Sequence, residues 1–231
     1  MANRPLYLPV ESGSCPRVQI KNIDFTWFAG FSVQQKQKSI ESLHTVSQTL
    51  GIKSILEVSS KSTEEEGVAL SAFNLMIKTR KNKSFSVESA FQSSKVFEHG
   101  GPFTELLQSS SIDAKKDIRL KESGNLVSFS FYDRDYPITP RTSFYDWLYI
   151  NALNHNQELK AFVLTYQAFT DIEFNPKKSL NCQAYAVALF VSLFKTRMLE
   201  KALVSFEAFL DILTVEYKLR EDSLGIQESL F

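Results

Sequence analysis

Cysteine and histidine are scarce in this chain. Cys15 and Cys182 lie far apart, and neither has metal-ligand spacing to His44, His99 or His155. A structural zinc site and other metal chemistry therefore have no ligand cluster to support them, and no cofactor is expected. No charged, apolar, small-residue signal opens the chain and no apolar run approaches a membrane span. The expected setting is cytoplasmic, with both thiols reduced and no membrane partner. Neither charge sign is in excess, with Lys plus Arg equal to Asp plus Glu at 26 each. That balance argues against a broad electrostatic nucleic-acid binder while leaving local basic patches open. The eight glycines make no Gly-x-Gly-x-x-Gly or Gly-Lys-Ser/Thr frame, so Gly100-Gly101-Pro102 reads as a break and not as a phosphate loop. No Ser nucleophile elbow and no His in a triad context are present. Carboxylate and lysine chemistry is what remains.

Apolar residues are plentiful. A hydrophobic share of 43% with 19 Phe predicts a real core with aromatic packing throughout. Phe85 to Phe97 reads as a helix in which Glu88, Gln92 and Lys95 fall at i, i+4 and i+7, a single polar stripe. Val87, Ala90, Phe91 and Phe97 form the adjoining apolar face, and Ser86 is placed to cap the helix. A carboxylate, an amide and an ammonium at the edge of a buried face suit a half-enclosed polar pocket. The same spacing also suits an amphipathic surface helix with an ordinary ion pair.

The rest of the chain reads as one α+β domain with a helix-rich C-terminal half and no internal repeat. Residues 1–58 are expected to be an N-terminal extension of short strands and one helix, packed on the main domain and completing its fold. Its helix runs from a Ser32 cap to about Leu50, ahead of Gly51. Glu64-Glu65-Glu66 reads as a solvated loop, Val68–Met76 as strand-like, and Lys78–Lys83 as a basic hairpin turn able to touch a nucleic-acid backbone. Core helices are expected over Thr142–Asn154 and Gln157–Tyr166, then from a cap at Ser179 or Asn181 to about Phe194. Residues 59–215 make the main domain, and 216–231 a C-terminal tail, loosely held from Leu219 onward.

Three segments in order resemble the NADAR (YbiA-like) N-glycosidase family. Ser59-Ser60-Lys61 with Leu70-Ser71-Ala72-Phe73-Asn74 is similar to its "Ser-Lys … Leu-Ser-Asn-Phe" pattern. Val87-Glu88-Ser89-Ala90-Phe91-Gln92-Ser93-Ser94-Lys95 is similar to its "Thr-Val-Glu-His-x-x-Gln-x-x-Lys" helix, and Asp113–Arg119 to its "Glu-Ala-Lys-x-x-Gly-Arg" stretch. Ile150–Leu153, Asn156–Leu159 and Asp171-Ile172-Glu173 echo its later portion. With the Gln35–Glu41 helix added, the chain is most similar to the DarT-associated NADAR antitoxins. Ser89 stands where the family has His, Ala72 where it has Asn, and Asn175-Pro176-Lys177-Lys178 where a Trp-Gly element follows.

The resemblance implies a single NADAR/YbiA-like α+β domain and a hydrolase. This would be an antitoxin-type N-glycosidase that takes ADP-ribose from guanine in DNA, undoing a DarT-type toxin. Its substrate would be ADP-ribosylated DNA, and a DarT-type ADP-ribosyltransferase would be its functional counterpart. Glu88, Lys95 and Glu173 would be the catalytic residues. Ser60, Lys61, Phe73, Asn74, Phe91, Gln92, Lys115, Arg119 and Asn181 would bind the substrate. Two alternatives stay open, a non-catalytic ADP-ribose or toxin-binding module, and a YbiA-like enzyme acting on a small ribosylated metabolite.

Overall fold

Period-two alternation along Ala2–Pro9 (β1) sets the architecture, because it sends neighbouring side chains to opposite faces. Leu6 joins one apolar cluster and Tyr7 the other. Val18–Phe25 (β2) runs antiparallel to β1, from Ala2↔Phe25 to Pro9↔Val18. Val33–Thr49 (α1) starts where the sequence places it, with Ser32 Oγ accepting the Gln35 N–H at 3.3 Å. Ile40 and Leu43 of α1 cover the Leu6 face together with Ile23 and Phe25. Ile55–Glu57 (β3) closes the N-terminal part. The computed structural model describes residues 1–13, 15–79, 81–176 and 179–223. Arg80 of the basic turn, Lys177 and Lys178, and residues 224–231 of the expected tail lie outside the described residues.

The acidic run is not a loop. Glu65–Ala69 (α2) places Glu65 and Glu66 in a first helical turn, where carboxylates oppose the positive end of the helix dipole. The expected strand Val68–Met76 is corrected too: residues 70–75 form tight turns, with Asn74 and Leu75 N–H both donating to the Ser71 carbonyl. Gly67 is required here. A Cβ added to it would meet Ser62 Oγ at 2.2 Å and the Glu57 carbonyl oxygen at 2.4 Å. The backbone oxygen cannot swing away, so Gly67→Ala is expected to destabilise the fold by about 1–3 kcal/mol. A thermal melt unchanged from wild type would show that the α2 contact is softer than its geometry implies.

Met76–Lys78 (β4) and Ser84–Ser86 (β5) make the basic hairpin, and Val87–Ser93 (α3) follows without a linker. Lys95–Phe97 (β6) then pairs antiparallel with Leu126–Phe131 (β7), which pairs with Arg134–Tyr136 (β8). A 3₁₀ turn over Thr104–Gln108 and the helices Ser111–Lys116 (α4) and Arg119–Glu122 (α5) fill the connection between β6 and β7. The β7–β8 loop is Tyr132-Asp133, with φ of 51° and 59°. A two-residue hairpin with both φ positive ordinarily takes Asn-Gly. Tyr there costs about 1–2 kcal/mol of backbone strain.

Ser143–His155 (α6) and Gln157–Val163 (α7) precede Ala168–Thr170 (β9), which inserts between β1 and β3. β9 is antiparallel to β1 at Tyr7↔Phe169 and parallel to β3 at Leu56↔Phe169. Residues 1–58 thus contribute three of the four strands of this sheet. The strand ends at Thr170, and Asp171–Phe174 form a turn closed by Phe174 N–H donating to the Asp171 carbonyl. Gln183–Lys195 (α8) is capped at Cys182, not at Ser179 or Asn181. It is buried all round from Ala184 to Leu193, because it lies between the sheet on one side and α6 on another. Tyr185 of α8 meets Tyr7 of β1 edge to face at 5.8 Å, so α1 and α8 cover opposite faces of the sheet. Leu199–Ala202 (α9) and Phe206–Ser223 (α10) finish the described chain. Residues 216–223 are therefore helical and not tail, with Glu216, Tyr217 and Arg220 buried. Among the described residues no helix is long and apolar enough to cross a membrane.

Candidate functional site

Helix α3 is buried along its whole length, and its surroundings fix where Glu88 can point. Ser86 caps it by accepting the Ser89 N–H at 3.0 Å. The next two donors are used by the turn before β4: Val87 N–H donates to the Leu75 carbonyl and Glu88 N–H to the Ala72 carbonyl, both at 2.9 Å. The Ser111 hydroxyl of α4 lies 2.8 Å from the Phe73 carbonyl and 2.7 Å from Ser86 Oγ. Helix, turn and α4 are thereby locked together. The "Leu-Ser-Ala-Phe-Asn" segment serves the site through its carbonyls.

The expected single helix is corrected at its C-terminal end. Ser93 Oγ and Ser94 Oγ donate back to the Ala90 and Phe91 carbonyls, competing with helix propagation. Lys95 then enters β6 opposite Phe129 of β7. It still reaches the site, from a strand instead of a third helical turn. Its Nζ stands 4.8 Å over the Phe91 ring. Burial lowers the Lys95 ammonium to about 8; Glu88 opposes the shift and Lys115 adds to it.

Glu88 is 5% exposed. Its Oε1 accepts from Gln92 Nε2 at 2.9 Å and lies 3.5 Å from Lys115 Nζ. Lys115 also sits 4.8 Å over the Phe73 ring. Gln92 Oε1 is buried with no hydrogen-bond partner, an acceptor that a bound ligand's donor would satisfy. Glu88, Lys95, Phe73, Phe91, Gln92 and Lys115, all expected from the sequence, are thus brought together.

The other expected residues have different company. Glu173 pairs with Lys36 of α1 at 2.9 Å. Ser60 is exposed and Lys61 half-buried, and Asn74 Nδ2 donates to the Val68 carbonyl. Arg119 is held by Asp117 at 2.8 Å and by Glu105, over the Phe103 ring at 4.3 Å. Asn181 is half-buried, one residue before the α8 cap.

Several residues of this region escaped the sequence reading. Gln183 of α8 accepts the Ala72 N–H at 2.8 Å and donates to the Val58 carbonyl at 2.6 Å, clamping both loops that lead into the site. Tyr145 of α6 packs edge to face on Phe91 at 5.2 Å. Burial pushes its phenol well above the ordinary range, and Glu88 and Asp171 act in the same sense. Tyr145 therefore lies within electrostatic reach of a second carboxylate cluster. There Glu57 accepts from Thr170 Oγ1 at 2.7 Å and from Ile172 N–H at 2.8 Å. Asp171 Oδ1 accepts the Glu173 and Phe174 N–H groups at 3.0 and 3.1 Å. Burial raises both acids; the charge of Glu173 adds to the rise at Glu57, and Glu57 and Glu173 add to the rise at Asp171. The one available signal was Glu57 inside a strand of apolar residues.

A family model for the DarT1-associated NADAR antitoxins matches residues 2–223. The chain belongs to that family. No curated protein matches it. The NADAR match begins at residue 2, so it takes in β1, β2 and α1 along with the main body. In this NADAR protein the position read as family His is Ser89, whose Oγ is 3.3 Å from the Ser109 carbonyl and 2.9 Å from Ser86 Oγ. The hydroxyl at this position is tied into the cap of α3.

Proposed function

We propose that the protein removes ADP-ribose from guanine in DNA, cleaving the N-glycosidic bond between the distal ribose and the base amine and so reversing a DarT-type toxin. The observation that carries this reading is a buried carboxylate, Glu88, beside a lysine that burial brings to about 8. A lysine so lowered has an appreciable neutral amine near neutral pH, which is what nucleophilic attack requires. In this reading the Lys95 amine attacks C1 of the ring-opened sugar. The C–N bond to guanine breaks as the departing amine takes a proton, shuttled by Glu88. Water then hydrolyses the lysine Schiff base, releasing ADP-ribose and restoring the amine. Gln92 Oε1 accepts from a ribose hydroxyl, and Phe73 and Phe91 supply apolar walls.

Lys115 faces the pyrophosphate or ribose, as do Ser60, Lys61, Asn74, Arg119 and Asn181 in the same proposal. Arg119 would have to exchange Asp117 and Glu105 for phosphate oxygens. Glu173 is the second proton carrier, available once substrate displaces Lys36.

The test is a timed incubation with a guanine-ADP-ribosylated oligonucleotide, scored by released ADP-ribose. Two further results are expected. kcat/KM should rise with pH through a midpoint near 8 as Lys95 loses its proton. Borohydride added during turnover should attach ADP-ribose covalently to wild type and not to Lys95→Ala. A flat profile without trapping would reduce Lys95 to a fixed cation. The structural use of Ser89 favours a second reading, a module that binds ADP-ribose without turnover. Binding with no release would select it.

A further inference from the structure

The β7–β8 hairpin carries a tyrosine where its backbone favours Asn or Gly. Tyr132 is 57% exposed, yet its ring is held, stacked on Phe85 at 6.4 Å and edge to face on Phe131 at 4.8 Å. An aromatic ring fixed at a strained turn with an open face is a prepared platform, and such outliers point to function. Tyr132 borders a groove of about 290 Å³, whose walls include Met76, Lys78, Arg134, Tyr136 and Trp147. That volume is at the lower end for a small-ligand pocket and far below what a duplex would occupy. Met76 is 41% exposed, and the adjoining β4–β5 turn adds exposed Lys81 and Lys83. Asp133 and Asp135 are the acidic groups on the β7–β8 side.

Two elements connect this groove to the candidate site. On β7, Phe129 faces Lys95 across the strand pair, and Phe131, two residues on, lines the groove. Two strand residues span about 6.8 Å, on the scale of one nucleotide step in an extended single strand. On β4, Met76 pairs with Ser86, the residue that caps the helix carrying Glu88.

We propose that this groove holds the single-stranded DNA flanking the modified guanine, with a base stacked on Tyr132 and the phosphates facing Lys78, Arg134 and the β4–β5 turn. The assignment rests on the DNA glycohydrolase reading. It accounts for a nucleic-acid site on a chain with no net charge, since aromatic stacking and a local cationic edge suffice for single strands.

The test measures binding of a short fluorescein-labelled, unmodified single-stranded oligonucleotide by anisotropy, for wild type, Tyr132→Asn and the Lys78→Gln/Arg134→Gln double variant. Tyr132→Asn is expected to weaken binding about 5- to 150-fold, the fold-change of one lost base stack. Its melting temperature should not fall, because Asn suits the positive φ. The double variant should lower the salt-dependence slope by about 0.7 for each charge removed. Affinities equal to wild type in both variants would overturn the proposal and leave the groove to a protein partner. A separate arm follows ADP-ribose release by wild type from modified DNA. No release there counts against the glycohydrolase reading, while the binding contrast still decides the groove.

Discussion

Glu88→Gln is expected to lower ADP-ribose release from guanine-modified DNA by about 10²- to 10⁴-fold, the range that positioned acid–base groups contribute. The loss should fall on kcat, because an amide keeps the shape and can still accept from Gln92 Nε2 but cannot carry a proton. Stability should change little. The helix is held by the Ser86 cap and by Val87, Ala90 and Phe91, none of which the substitution touches. Lys115→Ala makes the informative comparison. Its side chain is 54% exposed and its contact with Glu88 is 3.5 Å, so solvent screens the pair, and the loss of its substrate contact falls on binding and drops out at saturating substrate. A deficit for Glu88→Gln no larger than that of Lys115→Ala would show that the carboxylate only anchors a surface charge. Single-turnover rates at saturating substrate, with circular dichroism as the folding control, separate these outcomes.

The legible parts of the chain were those specified locally. Ser32 announces α1, Ser86 announces α3, and the Lys-rich turn between β4 and β5 lies where its composition places it. Local rules fail where a distant partner decides. Lys95-Val96-Phe97 is as good a helix end as a strand until β7 offers carbonyls across some thirty residues of chain, so periodicity continued the helix too far. The parallel pairing of Ile55 with Ala168 had no signature at all, and with it went the cluster of Glu57 and Asp171. A carboxylate in an apolar run reads as an edge, and only the fold reveals that the Thr170 hydroxyl and the Ile172 N–H had been arranged around it. The candidate site was legible because its residues share one short helix and its flanks. Gln183 and Tyr145, more than fifty residues away, were not.

Arg220→Met is expected to cost about 3–5 kcal/mol, a large part of the stability of any single domain. Arg220 stands where a loose tail was expected. It donates to Thr142 Oγ1 at 2.7 Å, to Asp146 Oδ2 at 3.1 Å and to the Leu180 carbonyl at 3.0 Å, with its guanidinium 3.5 Å over the Tyr185 ring. It therefore pins the last helix to the start of α6, the helix that brings Tyr145 to Phe91. Burial raises the Asp146 carboxyl to about 6, with Arg220 the main opposing influence. Without the arginine that acid rises further. A buried acid with a raised pKa binds more protons folded than unfolded, so its stability cost is absent below the unfolded range near 3.8 and grows as pH rises through the folded value. The deficit of Arg220→Met should hence be largest near pH 8, shrink below pH 6, and be partly repaired by adding Asp146→Asn. Denaturant midpoints across that range test the point. A small deficit, or a large one that ignores pH and Asp146→Asn, would mean that α10 is held by its Phe209, Leu213 and Tyr217 packing, with the ion pair incidental.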